Sequence, residues 1–396
     1  MQYTLFLLPL LPCVLPVFAQ NLPTPASDTW QFTGYGRFEV RGSYGRIPTQ
    51  PVPQEPDYLW WTLGRVGFWN YRIEGGVETV FRERITTRIA LTLRSADNDR
   101  DFAVLGNDVK VMARLKEAVI QLDQVGFEHL ALAGGRQPVV YPLFTDYDYT
   151  GGQLIWTIRP GLVFDWGQWQ VFEGHIVDGP GKSSDDIDLY GPRISFRYPW
   201  VQGQVYGLIH AKAGGNDGVG HNVRIVGLTS TFLHRKRSAA ELSAVVQHGN
   251  TSTPPEGRRK VRAYALHSRL RHRVANRLEI TAAGWIGSED RVGTPDINET
   301  FQSFGYRNTL EKFTFFYRPG LAGLRLLTVS AQTDFARGSV RVDMARIRNG
   351  SSSAPGGEEA GLTLEYRYSA HTRIRWRLAA TFDGHTMQVY EMSAGF

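Results

Sequence analysis

From residue 30 onward, apolar and polar side chains alternate with a period of two, in segments of roughly ten residues separated by stretches rich in Gly, Pro, Asp and Ser. This pattern constrains the fold more than any other feature, because successive side chains of a strand point to opposite faces. Ten residues or so is also the length that crosses the apolar core of a bilayer when a strand is tilted. In the first segment Phe32, Gly34, Gly36, Phe38 and Val40 share one face, while Gln31, Thr33, Tyr35, Arg37, Glu39 and Arg41 share the other. The division recurs with Ile73 and Val77 against Arg72, Glu74 and Glu78, with Ile89, Leu91 and Leu93 against Arg88 and Arg94, and with Ile194 and Phe196 against Arg193 and Arg197. Near the end, Leu362, Leu364 and Tyr366 oppose Glu365 and Arg367, and Ile374, Trp376 and Leu378 oppose Arg373, Arg375 and Arg377.

A soluble sandwich also alternates, but its inward face is apolar and carries few arginines. Here the polar face is studded with them. A transmembrane barrel reconciles the two halves of the composition: hydrophobic residues make up only 42%, yet the chain holds 42 Gly, 21 Phe, 17 Tyr and 10 Trp. Strands that face lipid on one side and water on the other keep mean hydropathy modest while aromatics collect at the interfaces. After the amino-terminal segment no apolar run reaches the length of a spanning helix.

Residues 1–19 lack charge, run apolar from Leu5 to Phe18 and end in Val17-Phe18-Ala19, the small-residue spacing of a signal-peptidase site. They are read as a removable secretion signal, followed by a Pro-rich periplasmic lead-in over 20–29 and a single barrel domain over 30–396. Pro9, Pro12 and Pro16 weigh against a membrane anchor, and Pro12 weighs against a lipoprotein signal at Cys13. Because Cys13 is the one cysteine, disulfides and thiolate metal sites are excluded once the signal is removed. The charge balance, 44 Lys+Arg against 38 Asp+Glu, is a mild basic bias. In a membrane barrel that bias points to acidic lipid or an anionic solute, and no nucleic-acid partner is expected.

Connections alternate in length. Short turns are expected near 83–86, 124–127, 160–166, 199–202, 235–238, 273–276, 319–323 and 369–372, and longer stretches at 47–58, 95–110, 179–190, 214–220, 251–259, 289–308 and 338–357. Short turns on one side and long loops on the other are the arrangement of outer-membrane barrels. The count predicts an all-β, transmembrane, antiparallel up-and-down barrel of about 18 strands, with 16 as the neighbouring alternative. Asp383-Gly384 marks a tight final hairpin. The last strand places Tyr390, Met392, Ala394 and Phe396 on one face, and a terminal Phe so preceded resembles the signal that such barrels present to their assembly machinery. Outer-membrane lipid and lipopolysaccharide are the expected surroundings.

On the water-facing side, Arg37, Arg41, Arg72, Arg88, Arg94, Arg193, Arg197, Arg367, Arg373, Arg375 and Arg377 are the candidates for lining a pore, since guanidinium groups attract carboxylates and bind them bidentately. The bland alternative is that they neutralise Glu39, Glu74, Glu78, Glu117, Glu241 and Glu365 across strands. Arg136 joins the candidates because Gly134-Gly135 permits a bulge that re-aims it inward. Tyr35, Tyr147, Tyr149 and Tyr206 offer stacking surfaces for sugars. The acids of 183–188 form a solvated loop rather than a calcium site. Gly179 to Ser183 lacks the leading glycine of a phosphate loop. His175, His210, His248 and His267 stand in no nucleophile motif, so no catalytic residues, metal or cofactor are expected and the chain is read as a non-enzyme.

Residues 114–124 and 130–141, with Gly135-Arg136-Gln137, resemble the paired strands of the alginate-export porin family. Stretches 241–249, 261–265, 287–290 and 301–306 are similar to that family's second half. Gly287-Ser288-Glu289-Asp290 departs from the family's usual Ser-Gly-Asp. The resemblance implies an 18-stranded channel with a basic constriction for a polyuronate. Residues 32–37 and 148–153 resemble maltoporin-like carbohydrate porins instead, which implies a neutral sugar or general diffusion. A third reading, from another class, is a closed barrel that serves as adhesin or scaffold through its loops.

Overall fold

A computed structural model describes residues 30–46, 68–82, 84–96, 111–171, 187–212, 220–234, 237–253, 257–290, 294, 296–301, 323–349, 357–382 and 386–395. The strands are β1 (Trp30–Arg46), β2 (Phe68–Phe81), β3 (Ile85–Ala96), β4 (Val111–Asp123), β5 (Leu130–Tyr141) and β6 (Thr145–Arg159). They continue as β7 (Leu162–Val171), β8 (Ile187–Arg197), β9 (Val201–Lys212), β10 (Gly220–His234), β11 (Ser238–Thr253), β12 (Gly257–Arg273) and β13 (Leu278–Gly287). The rest are β14 (Ile297–Asn298), β15 (Leu324–Phe335), β16 (Gly338–Asn349), β17 (Gly357–Arg367), β18 (Thr372–Thr381) and β19 (Thr386–Gly395).

Each wall strand pairs antiparallel with its neighbour in sequence, β13 pairs with β15, and β19 returns to pair with β1 from Arg37↔Gly395 to Arg46↔Thr386. The result is a closed antiparallel barrel of 18 strands, as expected. Closure removes the open sheet edge, so the ladder groups are bonded within the wall, the condition for placing a sheet in hydrocarbon. The two-residue β14 lies parallel to β12 beside Lys260 and Val261 and is an addition to the wall.

The alternation read from the sequence separates two faces. Phe32, Ile89, Leu91, Ile120, Val226, Val246, Leu270, Leu327 and Met344 are all exposed on the outer face. Along β12 buried and exposed residues alternate without a break from Val261 to Ser268. Trp30, Phe127, Trp156, Trp200, Phe232, Phe335 and Tyr368 are exposed where the strands meet the shorter connections, a girdle of the kind that marks a membrane interface.

Eight connections at that end run from two residues (160–161) to six (124–129). Three details differ from the sequence reading, the first being that residues 251–253 and 257–259 of the long stretch expected over 251–259 belong to strands β11 and β12. The turn expected over 160–166 is only Pro160-Gly161, because Gly161 adopts φ +80 and lets β7 begin at Leu162. The long stretch expected over 338–357 is mostly strand β16, joined to β15 through Ala336-Arg337. The turn expected at 319–323 lies outside the described residues apart from Gly323. The opposite end carries the longer connections 47–67, 97–110, 172–186 and 288–323. The signal segment, the lead-in, residues 183–186 of the acidic loop, the Asp383-Gly384 pair and Phe396 also lie outside the described residues.

Candidate functional site: the charged inner wall

The face opposite the exposed apolar residues carries charges of both signs, arranged in rows that cross several strands. On the first row Glu39 stands opposite Arg72, Arg37 opposite Glu74, and Glu78 opposite Arg88. The side chains pair along and across the strands: Arg37 lies 3.2 Å from Glu39 on β1, Arg72 donates to Glu74 at 2.9 Å on β2, and Arg88 reaches across to Glu117 at 3.3 Å and Glu78 at 3.7 Å. Lys116 also donates to Glu74. It can do so because β3 and β4 slip by one residue between Ala90 and Leu91, leaving Lys116 as the extra residue of a bulge beside Glu117.

A second row lies on β17, β18 and β19, where Glu365, Arg375 and Glu391 are consecutive partners and Arg41 of β1 follows in register. Arg375 donates to Glu365 at 2.8 Å and lies 3.4 Å from Glu391, while Arg377 stands 3.8 Å from Glu391 and Arg367 3.9 Å from Glu365. Arg341 holds Asp343 at 2.6 Å on the adjoining β16.

The third centre is Asp165, 2% exposed, which accepts Arg193 Nε on both oxygens (2.9 and 3.2 Å) and Gln153 Nε2 at 2.9 Å. The Arg193 guanidinium lies 5.3 Å from the centre of the Tyr141 ring, and Tyr141 packs 5.1 Å from Tyr206. The Tyr206 hydroxyl donates to the Pro142 carbonyl at 2.5 Å. That bond ties down the Pro142–Phe144 turn, whose Leu143 and Phe144 are buried, Phe144 edge-on to His210 at 5.4 Å. Gly227 stands directly opposite Tyr206, and a Cβ there would fall 2.1 Å from the Tyr206 ring, so the absent side chain is what lets the ring lie flat on the wall. Gly76 and Tyr35 repeat the arrangement on β2 and β1. Tyr149, like Tyr206, is fully buried, with its hydroxyl 3.1 Å from Thr145 Oγ1, and the Tyr147 side chain lies outside the described residues. A fourth centre is Glu241, 3.3 Å from Arg269 and 3.6 Å from His267, whose ring stacks on Trp285 at 4.5 Å.

Of the arginines singled out in the sequence, Arg37, Arg72, Arg88, Arg193, Arg367, Arg375 and Arg377 sit in these rows with a carboxylate beside them. All six glutamates named as neutralising partners have an arginine within ion-pair reach. Arg197 and Arg373 are exposed, with no carboxylate partner among the described residues. The backbones of Arg41 and Arg94 are paired in β1 and β3, and their side chains lie outside the described residues. Arg136 shares the parity of the outward, exposed Leu132 and Val140, and its Nε donates to the Leu115 carbonyl at 2.8 Å. Gly135 does adopt φ +124, where a Cβ would lie 2.0 Å from the Ala118 carbonyl.

Alternation by itself does not single out Lys116, Asp165, Arg341, Asp343 or Glu391. Each stands on the inner face by parity or by bulge, and opposite charge on the same or a neighbouring strand is the signal available for finding them.

A closed 18-stranded wall, apolar outside and charged inside, with an aromatic girdle and unequal ends, is the fold of outer-membrane porins. No family model and no curated protein matches the chain. Solved structures do. OccK2 (OpdF) of Pseudomonas aeruginosa superposes with TM-score 0.64 at 12% identity over 92% of this chain and 98% of that one, and its glucuronate complex with TM-score 0.63 at 12% identity over 92% and 96%. OpdK with vanillate, from the same organism, gives TM-score 0.61 at 12% identity over 92% and 98%. At such identities the likeness carries the fold, and the solute is a separate question.

Proposed function

We propose that the chain is a non-enzymatic outer-membrane channel for small hydrophilic anions, carboxylated sugars above all. The observation that carries this reading is the inner wall itself, where arginines from several neighbouring strands are held at fixed positions by carboxylates along the path a solute would take. An arginine held by one carboxylate keeps donors on its other edge, and those are available to a passing carboxylate. Binding of this kind is shared among several sites and weak at each, which lets the solute leave as well as enter.

Arg37, Arg41, Arg72, Arg88, Arg94, Arg193, Arg197, Arg367, Arg373, Arg375 and Arg377 are the wall positions assigned to charge selection. Arg136, with its outward parity, is assigned to the wall's β4–β5 junction instead. Two independent supports converge on a uronate. The short motifs that resemble the alginate-export family imply a polyuronate, and one structural neighbour was solved with glucuronate. The ring of Tyr35, flat against the wall over Gly76, suits the apolar face of a sugar, whereas Tyr149 and Tyr206 are fully buried and present no face to one.

The test is electrical. Reconstituted in a planar bilayer under a salt gradient, the purified barrel should give stepwise ohmic conductance with a reversal potential of anionic sign. Glucuronate should block it at concentrations where maltose does not. Equal block by both sugars transfers the chain to a maltoporin-like neutral-sugar role, and electrical silence in a folded barrel transfers it to an adhesive or scaffolding one.

A further inference from the structure

We infer that the outer face of β10, β11 and β12, at the end bearing the longer connections, is a seat for the phosphorylated headgroup of an outer-leaflet membrane lipid. Arg224, His248 and Arg262 are direct register partners across the three strands, so they form one row. The next rows toward the rim hold Asn250 opposite Lys260, then Ser252 opposite Arg258. Arg224, His248, Arg258, Lys260 and Arg262 are all exposed, and they share the parity of the outward Val226, Val246 and Tyr264. These side chains thus point away from the lumen, where a transported solute would never meet them. A groove of about 700 Å³ runs among them, and among the described residues no Asp or Glu lines it. The carboxylate of Asp290 at the same end is engaged by Arg259 on the inner side, at 2.7 Å. Asp296 gives its backbone carbonyl to Lys260 N–H at 2.9 Å beside the groove and is not among its lining residues.

The depth of the row fits a headgroup. From Arg224 to the end of β10 at His234 is ten residues, about 33 Å along the strand and about 25 Å of height at a tilt near 40°, the thickness of the apolar band of such barrels. At the far end of the same three strands, Trp200, Phe232, Leu233 and Leu270 line an apolar groove, the opposite interface. An arginine facing lipid costs about 2–4 kcal/mol at mid-depth and little at the interface, so the cations begin where the cost ends. Neighbouring strands lie about 4.8 Å apart, which puts Arg224 and Arg262 about 10 Å apart across His248. That spacing matches a phosphate group gripped from two sides, with guanidinium donors in forked pairs. Inorganic phosphate presents the same oxygens without the acyl chains that anchor a lipid against Val226, Val246 and Tyr264.

The test is native mass spectrometry of the detergent-purified full barrel with diphosphorylated lipid A, with its dephosphorylated form, and with inorganic phosphate as competitor. Wild type should retain lipid A, bind the dephosphorylated lipid on the order of tenfold less well, and keep its lipid against millimolar inorganic phosphate. The triple variant Arg224→Gln, Lys260→Gln and Arg262→Gln should lose retention by a similar factor while remaining a heat-modifiable barrel. Lys260→Gln alone, at the rim, should give an intermediate loss and guards against a folding defect in the triple variant. Equal retention by the triple variant, or of the dephosphorylated lipid, overturns the assignment. Displacement by inorganic phosphate overturns it in favour of a free-anion site.

Discussion

Arg375 donates to Glu365 from two nitrogens at once, Nη2 at 2.8 Å and Nε at 3.2 Å, across the β17–β18 register. Both side chains are largely covered, 26% and 14% exposed. A forked contact in such a place fixes the guanidinium plane, which is the condition for presenting its remaining donors in a constant direction.

Replacing Arg375 by Gln therefore leaves Glu365 with a weaker partner, Arg367 at 3.9 Å. Leaving a partly buried carboxylate short of partners costs about 1–3 kcal/mol. Urea unfolding of vesicle-inserted barrels, followed by tryptophan fluorescence, should show that loss for Arg375→Gln. Adding Glu365→Gln should recover part of it. A double variant that is less stable than the single one would mean that the ion pair is not what anchors this row.

Arg373, Arg375 and Arg377 are three successive inner-face positions of β18, yet their surroundings differ. Arg373 is exposed and lacks a carboxylate partner among the described residues, whereas the other two share Glu391. Neutralising all three should lower the anion-to-cation permeability ratio in salt-gradient bilayer recordings. Arg373→Gln alone should produce a measurable part of that change with the urea midpoint unchanged, because it removes charge without orphaning an acid. An unchanged ratio in the triple variant would remove β18 from the selective wall.

The strand pattern and the two faces are legible in the sequence because membrane crossing imposes both length and period on every strand, and a one-residue slip would turn a whole segment inside out. Pairing across the wall is not. Lys116 reads as outward until the bulge beside it is known, since alternation cannot announce an inserted residue. Asp165 and Arg193 are 28 positions apart, and only the β7–β8 register brings them opposite. The Gly134-Gly135 pair suggests an inward turn of Arg136. Gly135 does take a conformation that other residues avoid, yet Arg136 keeps the parity of Leu132 and bonds backbone instead. The β15–β16 turn is hard to place from sequence because Pro319 offers a stronger turn signal than Ala336-Arg337, and the charges of Arg341, Asp343, Arg346 and Arg348 disguise a strand as a loop.

Asp165 serves Arg193 and Gln153 together from a position sealed between β6 and β8. Asp165→Ala should cost about 3–5 kcal/mol, the range for breaking a buried pair from one side. Arg193→Lys keeps the charge but loses the planar fork and the stacking over Tyr141, and should cost less. Unfolding midpoints of the two variants should rank in that order. The reverse ranking would show that packing on Tyr141, rather than the charge pair, holds this part of the wall.

Gly227 and Tyr206 supply the most direct link between wall packing and flow. The Tyr206 ring lies over Gly227, contacts Tyr141, and through its hydroxyl holds the Pro142–Phe144 turn against the inner face. A Cβ at residue 227 would sit 2.1 Å from Tyr206 Cζ and 2.3 Å from the hydroxyl oxygen, far inside contact distance, so the ring must leave. Gly227→Ala should therefore free the turn and raise the unit conductance in single-channel recordings, with the barrel still heat-modifiable. Tyr206→Phe keeps the ring and removes only the hydrogen bond to Pro142, so it should raise conductance less. If Gly227→Ala conducts like wild type while its Tyr206 is shown by fluorescence or crystallography to have moved, the turn does not restrict the path. The narrow part of the channel must then be sought at another level of the wall, with the Glu365–Arg375–Glu391 row the next place to substitute.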